Sequence, residues 1–238
     1  MSLNAAPDLT TCIDAVLCGR AVEFSRPGAR SAIAKSAVAG PVRIGPEGLE
    51  GDEQADRRVH GGPDKAVHHY ARDHYAAWAS DIGAHALLGQ PGAFGENIST
   101  TGLTEADICL GDRWRLGTAL VEVSQSRQPC WKLSDRFAIA DMARRVQDTG
   151  RTGWYYRVLE PGQVQAGDSL TLLERPHPDW PLGRIIDVLY QRRLDPDLLN
   201  EILGLPLVPG WRTLFERRLE RGQTEDWSRR LIGTEPIA

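Results

Sequence analysis

The stretch Ser124-Gln125-Ser126-Arg127-Gln128-Pro129-Cys130-Trp131-Lys132-Leu133 is the most informative part of this chain, and it directly follows an alternating segment typical of a β-strand. Arg127 precedes Cys130 by three residues and Lys132 follows it by two. Positive charge near a cysteine favours the thiolate, the form that binds soft metals or attacks electrophiles. Pro129 fixes its own φ and steers the preceding residue toward extended geometry. We therefore expect an exposed, ionised thiol on a stiff corner after a strand.

The other three cysteines, Cys12, Cys18 and Cys109, lack such charged, turn-forming flanks, and we expect them to be small buried apolar residues. No pair has C-x-x-C spacing, which argues against a disulfide framework, an iron–sulfur cluster and a zinc site of the usual kind. This cysteine usage fits a reducing compartment, so we expect a cytoplasmic protein.

Composition limits the classes of function. With 238 residues, 41% of them hydrophobic and 25% charged, the chain suits one substantial core or one core plus a small appendage. A formal net charge of -4 disfavours binding to a nucleic acid polymer. We find neither a signal-peptide pattern nor the ~18 uninterrupted apolar residues of a membrane span, so we expect no membrane association.

From about residue 13 to residue 174 the apolar residues mostly alternate, which predicts a closed or nearly closed β structure. Two helices interrupt it, one starting near Asp73 and one starting near Ser134 or Asp135 and ending before Gly150. The fold class is therefore mainly β with α. The predicted strands are Cys12 to Cys18, Val42 to Ile44, Val67 to Tyr70, Glu105 to Leu110, Arg113 to Leu116, Ala119 to Val123, Trp154 to Leu159 and Ser169 to Leu173.

After residue 176 the apolar spacing becomes helical, and prolines divide the tail into three short helices. We assign residues 1–176 to a β-barrel domain and residues 177–238 to a three-helix domain that either folds alone or packs on the barrel. Its expected role is a stabilising cap or a dimer contact, which leaves a homodimer open. The paired arginines after Lys132, including Arg217-Arg218 and Arg229-Arg230, are expected to lie on solvated helix faces.

Two further segments are candidate parts of a site. Consecutive glycines, Gly61 and Gly62, let backbone N–H groups approach an anion, with charge from His60, Lys65 and the arginine pair Arg57-Arg58. Neither a Walker motif nor a dinucleotide-binding glycine pattern is present, and a plain tight turn explains the glycines equally well.

In the second segment, Asn97 offers a donor and an acceptor to a heterocycle, and Glu96 offers a carboxylate. Both side chains also suit a purely structural role in a turn.

Taken together, four ordered motifs resemble the MOSC family, specifically its YiiM-type members. The resemblance extends over nearly the whole chain, including Thr149 to Trp154 and the helical tail. The motifs are Gly48-Leu49-Glu50-Gly51-Asp52, Val59-His60-Gly61-Gly62-Pro63-Asp64, Phe94-Gly95-Glu96-Asn97 and Ser124 to Leu133.

The resemblance implies a MOSC β-barrel, a C-terminal three-helix domain and a molybdenum cofactor (molybdopterin), whose metal is coordinated by Cys130. It also implies reduction of N-hydroxylated small molecules such as hydroxylaminopurine. Since the chain shows no flavin, nicotinamide or iron–sulfur motif, we expect electrons from a separate redox protein. The residues expected to neutralise the anionic cofactor are Arg58, Lys65, Arg127 and Lys132.

For the remaining site residues, we expect Asn97 to orient the pterin or substrate and His60 to donate a proton as the N–O bond breaks. Gly61 and Gly62 would supply backbone donors to the cofactor. The main alternative is a carrier without enzymatic activity, which binds the cofactor or holds sulfur on Cys130 and delivers it elsewhere.

Three other functions have less support. Hydrolysis by Cys130 with His60 or His68 lacks an oxyanion-hole motif. A pyridoxal phosphate Schiff base on Lys65 or Lys132 lacks the necessary burial. A metal site of His68, His69 and His74 is disfavoured because adjacent residues on a strand point to opposite faces.

Overall fold

The computed structural model describes residues 9–55 and 61–233, and within these ranges it contains thirteen strands and seven α-helices. The strands are β1 (Thr10–Cys18), β2 (Val22–Glu23), β3 (Arg30–Ser31), β4 (Ser36–Ala37), β5 (Val42–Gly45), β6 (Gly48–Leu49), β7 (Val67–Ala71), β8 (Ile98–Thr100), β9 (Arg113–Leu116), β10 (Ala119–Ser126), β11 (Trp154–Glu160), β12 (Gly162–Val164) and β13 (Ser169–Glu174). The helices are α1 (His74–Ile82), α2 (Trp131–Phe137), α3 (Met142–Thr149), α4 (Leu182–Tyr190), α5 (Pro196–Leu203), α6 (Pro209–Arg221) and α7 (Ser228–Ile232).

Seven of the described strands close into a barrel in the order β13-β9-β10-β11-β7-β8-β1, and β1 pairs with β13 to complete the ring. The β7–β8 pair is parallel, whereas its neighbours in the ring are antiparallel. Closure leaves the ring without an unpaired edge. The predicted fold class, a closed and mainly β structure with interrupting helices, is confirmed, as are seven of the eight predicted strands.

The remaining prediction, a strand over residues 105–110, is wrong. Thr104 donates its backbone N–H and its hydroxyl to Asp107 Oδ2, both at 2.9 Å, so the chain turns instead of extending. The apolar residues that follow remain buried because they meet the start of α4, where Leu110 N–H donates to the Trp180 carbonyl and Leu182 N–H to the Ile108 carbonyl. This segment is the seam between the barrel and the helical tail.

The helix predicted near Ser134 begins earlier and is divided in two. α2 starts at Trp131, directly after Cys130, and ends at Phe137, before the C-cap residue Ala138, whose φ of 52° is left-handed. α3 then begins at Met142 and ends at Thr149, before Gly150, the predicted C-terminal glycine. The early start places Cys130 at the junction between a barrel strand and a helix. The helix predicted near Asp73 is confirmed as α1, although the Asp73 carboxylate accepts from Gly102 N–H and does not cap the helix.

The helical tail packs on the barrel and shares its core. Trp114 and Trp154 of the barrel belong to the same buried apolar cluster as Ile185 of α4 and Phe215 of α6. Fully burying a side chain of this size stabilises a protein by about 1.5–3 kcal/mol. The tail was expected either to fold alone or to pack on the barrel, and packing on the barrel is the arrangement observed. The domain boundary at residue 176 stays a prediction. None of the helices described is long and apolar enough to cross a membrane.

Arg218 on α6 ties the end of the tail to α4. Its guanidinium donates to the carbonyls of Val188 and Leu189, each at 2.8 Å, and pairs with Glu225 at 2.6 Å. Arg218 is 1% exposed, so its predicted position on a solvated face is wrong. These contacts hold the end of α4 against the segment that leads into α7.

Candidate cofactor site

Cys130 lies at the end of the short loop that leaves β10, with extended backbone angles of φ −134° and ψ 168°. The stiff corner after a strand is confirmed. The predicted exposure is wrong, since Cys130 is 7% exposed, covered in part by α2 and by the last segment of the tail. Its surroundings are nevertheless charged, because Lys65 and Arg230 lie close to it. Burial lowers the pKa of both groups, and the negative charge of a Cys130 thiolate would raise it in part.

Of the other cysteines, Cys109 is buried as predicted, Cys18 is half-buried and Cys12 is exposed on β1, contrary to expectation. Cys12 lies near the start of the first strand, where its side chain faces solvent.

A cleft on one side of Cys130, which we call the barrel cleft, encloses about 680 Å³ of empty space, part of it open to solvent. Its walls come from the segment after β3, the segment after β6, the loop before β8 and the residues around Cys130. The lining residues are Ser31, Ala32, Ile33, Lys35, Asp52, Glu53, Gln54, Ala55, Lys65, His68, Phe94, Gly95, Asn97, Arg127, Gln128, Cys130, Lys132 and Tyr155.

Three cations predicted from the sequence meet in this cleft: Lys65, Arg127 and Lys132. Burial lowers the pKa of Lys65, although the nearby Asp64 carboxylate raises it in part. Lys132 Nζ donates to the carbonyl of Arg30 at 2.7 Å, which fixes its position beside the β2–β3 hairpin. The cleft therefore presents concentrated positive charge within a chain whose formal net charge is -4.

A fourth cation, Lys35, was not found by sequence analysis. It is paired with the Asp52 carboxylate, and the side chains of both residues are almost completely buried. Asp52 also accepts from the Gly19 N–H at 2.8 Å. Because the Asp52 carboxylate compensates its charge, Lys35 contributes little to anion attraction.

Arg127 and His68 each bring an unsatisfied polar atom to the cleft. Arg127 Nη1 and His68 Nε2 are buried and have no hydrogen-bond partner within the described part of the chain. Burial lowers the pKa of His68 well below its usual value, and the neighbouring Arg127 charge acts in the same direction, so the imidazole is neutral at physiological pH. Buried polar atoms are nearly always satisfied, so these two nitrogens are available to a water molecule or a polar ligand in the cleft.

Asn97 and Glu96 have structural roles. Asn97 Oδ1 accepts from His68 N–H at 3.1 Å, and its Nδ2 donates to the Leu17 carbonyl at 3.1 Å and to Asp52 at 2.9 Å. Both amide hydrogens of Asn97 are thus used by the protein. Glu96, fully buried, accepts from Tyr75 Oη at 2.6 Å and from two backbone N–H groups of its own loop. Both side chains hold the cleft wall in shape.

The two glycines of the predicted anion cradle do not line the barrel cleft. Gly62 has φ +90° and leads into a 3₁₀ turn over Pro63–Lys65, where the Lys65 N–H donates to the Gly62 carbonyl at 2.9 Å. This geometry agrees with the tight-turn interpretation, which places Lys65 at the cleft. Arg58 and His60 lie outside the described residues.

The three histidines weighed as a metal site, His68, His69 and His74, have different surroundings. His69 bonds to Tyr156 Oη at 3.0 Å and Thr100 Oγ1 at 2.8 Å, whereas the adjacent His68 faces the cleft, as expected for neighbours on a strand. His74 is 2.6 Å from Glu105, away from both. Among the described residues, no three His, Cys, Asp or Glu side chains are grouped so as to hold a metal ion.

A second cleft, which we call the junction cleft, lies on the other side of Cys130, between the barrel and α7, and encloses about 1180 Å³, part of it open to solvent. It shares Lys65, Gln128, Cys130 and Tyr155 with the barrel cleft, so the two clefts meet at the thiol. Its other lining residues are Gln125, Trp131, Asp226, Arg229 and Arg230.

Arg230 was not expected at the site, because its pairing with Arg229 in a helical segment suggested a solvated face. Its Nη1 donates to the carbonyl of Pro129, the residue before Cys130, and its Nη2 to Gln147 Oε1 at 2.6 Å. Burial lowers the pKa of Arg230. The sequence signal for this position is that the family resemblance extends through the helical tail.

Comparison with known proteins identifies the class. Residues 56–171 match the family model described as MOSC domain, and residues 180–222 match the model described as YiiM-like, 3-alpha helix domain. The chain is 45% identical over 208 residues to Protein YiiM of Escherichia coli (strain K12), covering 87% of this chain and 92% of that one. It is 40% identical over 190 residues to a protein of Gibberella moniliformis (strain M3125 / FGSC 7600) named Reductase, covering 79% of this chain and 34% of that protein.

The crystal structure of YiiM from Escherichia coli matches with a TM-score of 0.79 at 36% identity, covering 94% of this chain and 100% of that one. The fold and the site thus define a MOSC protein, a class associated with binding of the molybdenum cofactor. More specifically, the chain belongs to the YiiM-like branch of that family, which carries a three-helix domain after the barrel. The family resemblance expected from the sequence is confirmed.

Proposed function

We propose that the barrel cleft binds the molybdenum cofactor and that the protein uses it to reduce N-hydroxylated compounds. The observation that carries the proposal is the buried Arg127 Nη1, which has no partner in the described chain and faces a cleft that also contains Cys130. A buried guanidinium donor without an acceptor fits an anionic ligand.

The cleft fits the chemistry of this cofactor, a pterin dithiolene that carries a phosphate. Arg127, Lys65 and Lys132 would neutralise its negative groups, and neutral His68 would meet the polar edge of the pterin. Cys130 would supply a soft thiolate ligand to the metal. Since no cluster of protein ligands was found in the described residues, the metal would have to arrive with ligands of its own. When bound, the cofactor supplies the two-electron chemistry.

The overall reaction is R–NH–OH + 2 e⁻ + 2 H⁺ → R–NH₂ + H₂O, in which the N–O bond breaks and the oxygen leaves as water. Within the protein, Cys130 would hold the metal at the meeting point of the two clefts, and the cations would keep the cofactor oriented. His60 remains our predicted proton donor. The electrons would come from a separate redox protein, and turnover by the isolated protein with a nicotinamide donor alone would contradict that part of the proposal.

The test is anaerobic purification from a cofactor-competent host, with molybdenum and pterin quantified and turnover of hydroxylaminopurine measured with a chemically reduced viologen dye. The holoprotein should contain equimolar metal and pterin and should reduce the substrate steadily. Cys130→Ser should lower turnover by about 100-fold or more, because it removes the metal ligand. Cys12→Ser is the matched control, because Cys12 is an exposed cysteine on β1, and this variant should behave like the unchanged protein.

Full molybdenum content and full activity in Cys130→Ser would refute the proposal. A holoprotein with bound cofactor but no turnover, or a transferable sulfane on Cys130 detected by mass spectrometry, would instead support the carrier function.

A further inference from the structure

The junction cleft is electropositive. Three cations, Lys65, Arg229 and Arg230, line it against one carboxylate, that of Asp226. This carboxylate is already engaged, since Asp226 Oδ1 accepts from the backbone N–H of Ser228 at 2.8 Å and from its hydroxyl at 2.6 Å. Among the described residues that line the cleft, positive side chains therefore outnumber negative ones.

The two arginines are available to an anion. The side chain of Arg229 is exposed and makes no ion pair or hydrogen bond to any residue in the described ranges. Within the described ranges, Arg230 donates to two neutral oxygens, those of Pro129 and Gln147, which fix its direction and carry no charge of their own. Guanidinium groups suit a phosphate, which accepts several charge-assisted hydrogen bonds.

The same cleft has aromatic walls, Trp131 and Tyr155. One face of Trp131 is covered by the Arg26 guanidinium at 4.0 Å, and Tyr155 packs on His68 with ring centroids 5.0 Å apart, so both rings are held in place. Aromatic rings fixed in this way offer stacking surfaces to a planar heterocycle. The amide of Gln128 adds a donor and an acceptor beside them.

We propose that the junction cleft is the substrate site and that it selects N-hydroxylated bases carrying a phosphate, that is, nucleoside monophosphates, with Arg229 and Arg230 binding the phosphate. The inference rests on the proposed function, because it places the substrate against a cofactor in the barrel cleft. Cys130 lines both clefts, so a base stacked in the junction cleft lies next to the thiol.

The test compares kcat/KM of the holoprotein for hydroxylaminopurine and for its ribonucleoside 5′-monophosphate. The monophosphate should be preferred, and Arg229→Ala should lower the ratio of monophosphate to free base by about tenfold, since one charge-assisted contact is lost. Arg221→Ala is the matched control, because Arg221 is also an exposed arginine on a tail helix, α6, but does not line the junction cleft, and it should leave the ratio unchanged.

A ratio near one in the unchanged holoprotein, or a ratio that Arg229→Ala does not lower, would overturn the inference. Loss of pterin and molybdenum in Arg229→Ala would also overturn it, because the arginine would then bind the phosphate of the cofactor. If no N-hydroxylated compound is reduced, calorimetry with adenosine 5′-monophosphate separates the failure of the proposed reaction from the failure of the proposed binding site. Binding that Arg229→Ala weakens about tenfold would support the cleft while the proposed reaction fails, and no binding would refute the cleft.

Discussion

The buried histidine His69 should make the protein less stable in mild acid. It lies on β7, 0% exposed, between Tyr156 and Thr100, and burial lowers its pKa to about 3. In the unfolded chain a histidine has a pKa of about 6.5. Below that pH the unfolded state binds a proton that the folded state does not, so the free energy of unfolding decreases as the pH falls from about 6.5 toward 3.

The size of this effect follows from the two pKa values. At pH 7.5 the unfolded histidine is almost entirely neutral and the linkage is negligible. At pH 5.0 it is protonated in most unfolded molecules, and this protonation lowers the free energy of unfolding by about 2 kcal/mol. His68, whose pKa burial also lowers, acts in the same direction.

Urea denaturation at pH 7.5 and pH 5.0 measures this loss. In His69→Gln, which cannot titrate, the loss of unfolding free energy between the two pH values should be smaller than in the unchanged protein by about 2 kcal/mol. Tyr156→Phe is the control: it removes a hydrogen-bond partner of His69 but keeps the imidazole, so it should lower stability at both pH values and preserve the difference between them. An identical pH dependence in His69→Gln and the unchanged protein would refute the reasoning.

Two further predictions concern stability. Arg218→Ala leaves Glu225 and two α4 carbonyls without their buried donor and should lower the free energy of unfolding by about 3–5 kcal/mol, so an unchanged urea midpoint would contradict the role given to Arg218. Gly153 has φ +71°, and a Cβ there would lie 2.4 Å from the His69 carbonyl oxygen, so Gly153→Ala should cost about 3 kcal/mol in the same assay. Gly167→Ala is the matched control, because Gly167 has φ +90° and open space around it, and it should lower the free energy of unfolding by only about 1 kcal/mol. Equal losses in the two variants would show that the close approach of the His69 carbonyl does not matter.

The barrel could be predicted where its residues alternate between core and solvent. Residues 113–116 alternate in burial, and the strand predicted there has the same bounds as β9. All three residues of β8 are buried, so no alternation marks it, and the sequence suggested only a turn. The error at residues 105–110 has a similar origin, because an apolar run is buried there by a helix that arrives about seventy residues later in the chain.

The candidate site shows the same division. Arg127 and Lys132 were found because their charges lie within three residues of Cys130 in the sequence. Arg230 comes from the far end of the chain, and its position beside Pro129 depends on how the tail docks, which local pattern does not specify. The burial of Cys130 was missed in part for the same reason, since some of the covering residues belong to the last segment of the tail and are distant in sequence.

The contact between Arg230 and the Pro129 carbonyl has a consequence for the order of folding. The two residues are 101 positions apart in the sequence, so the wall beside the cysteine is finished only when α7 has docked. A molecule whose barrel has closed while its tail is still undocked lacks that wall. Docking of the tail therefore controls access to Cys130 from this side.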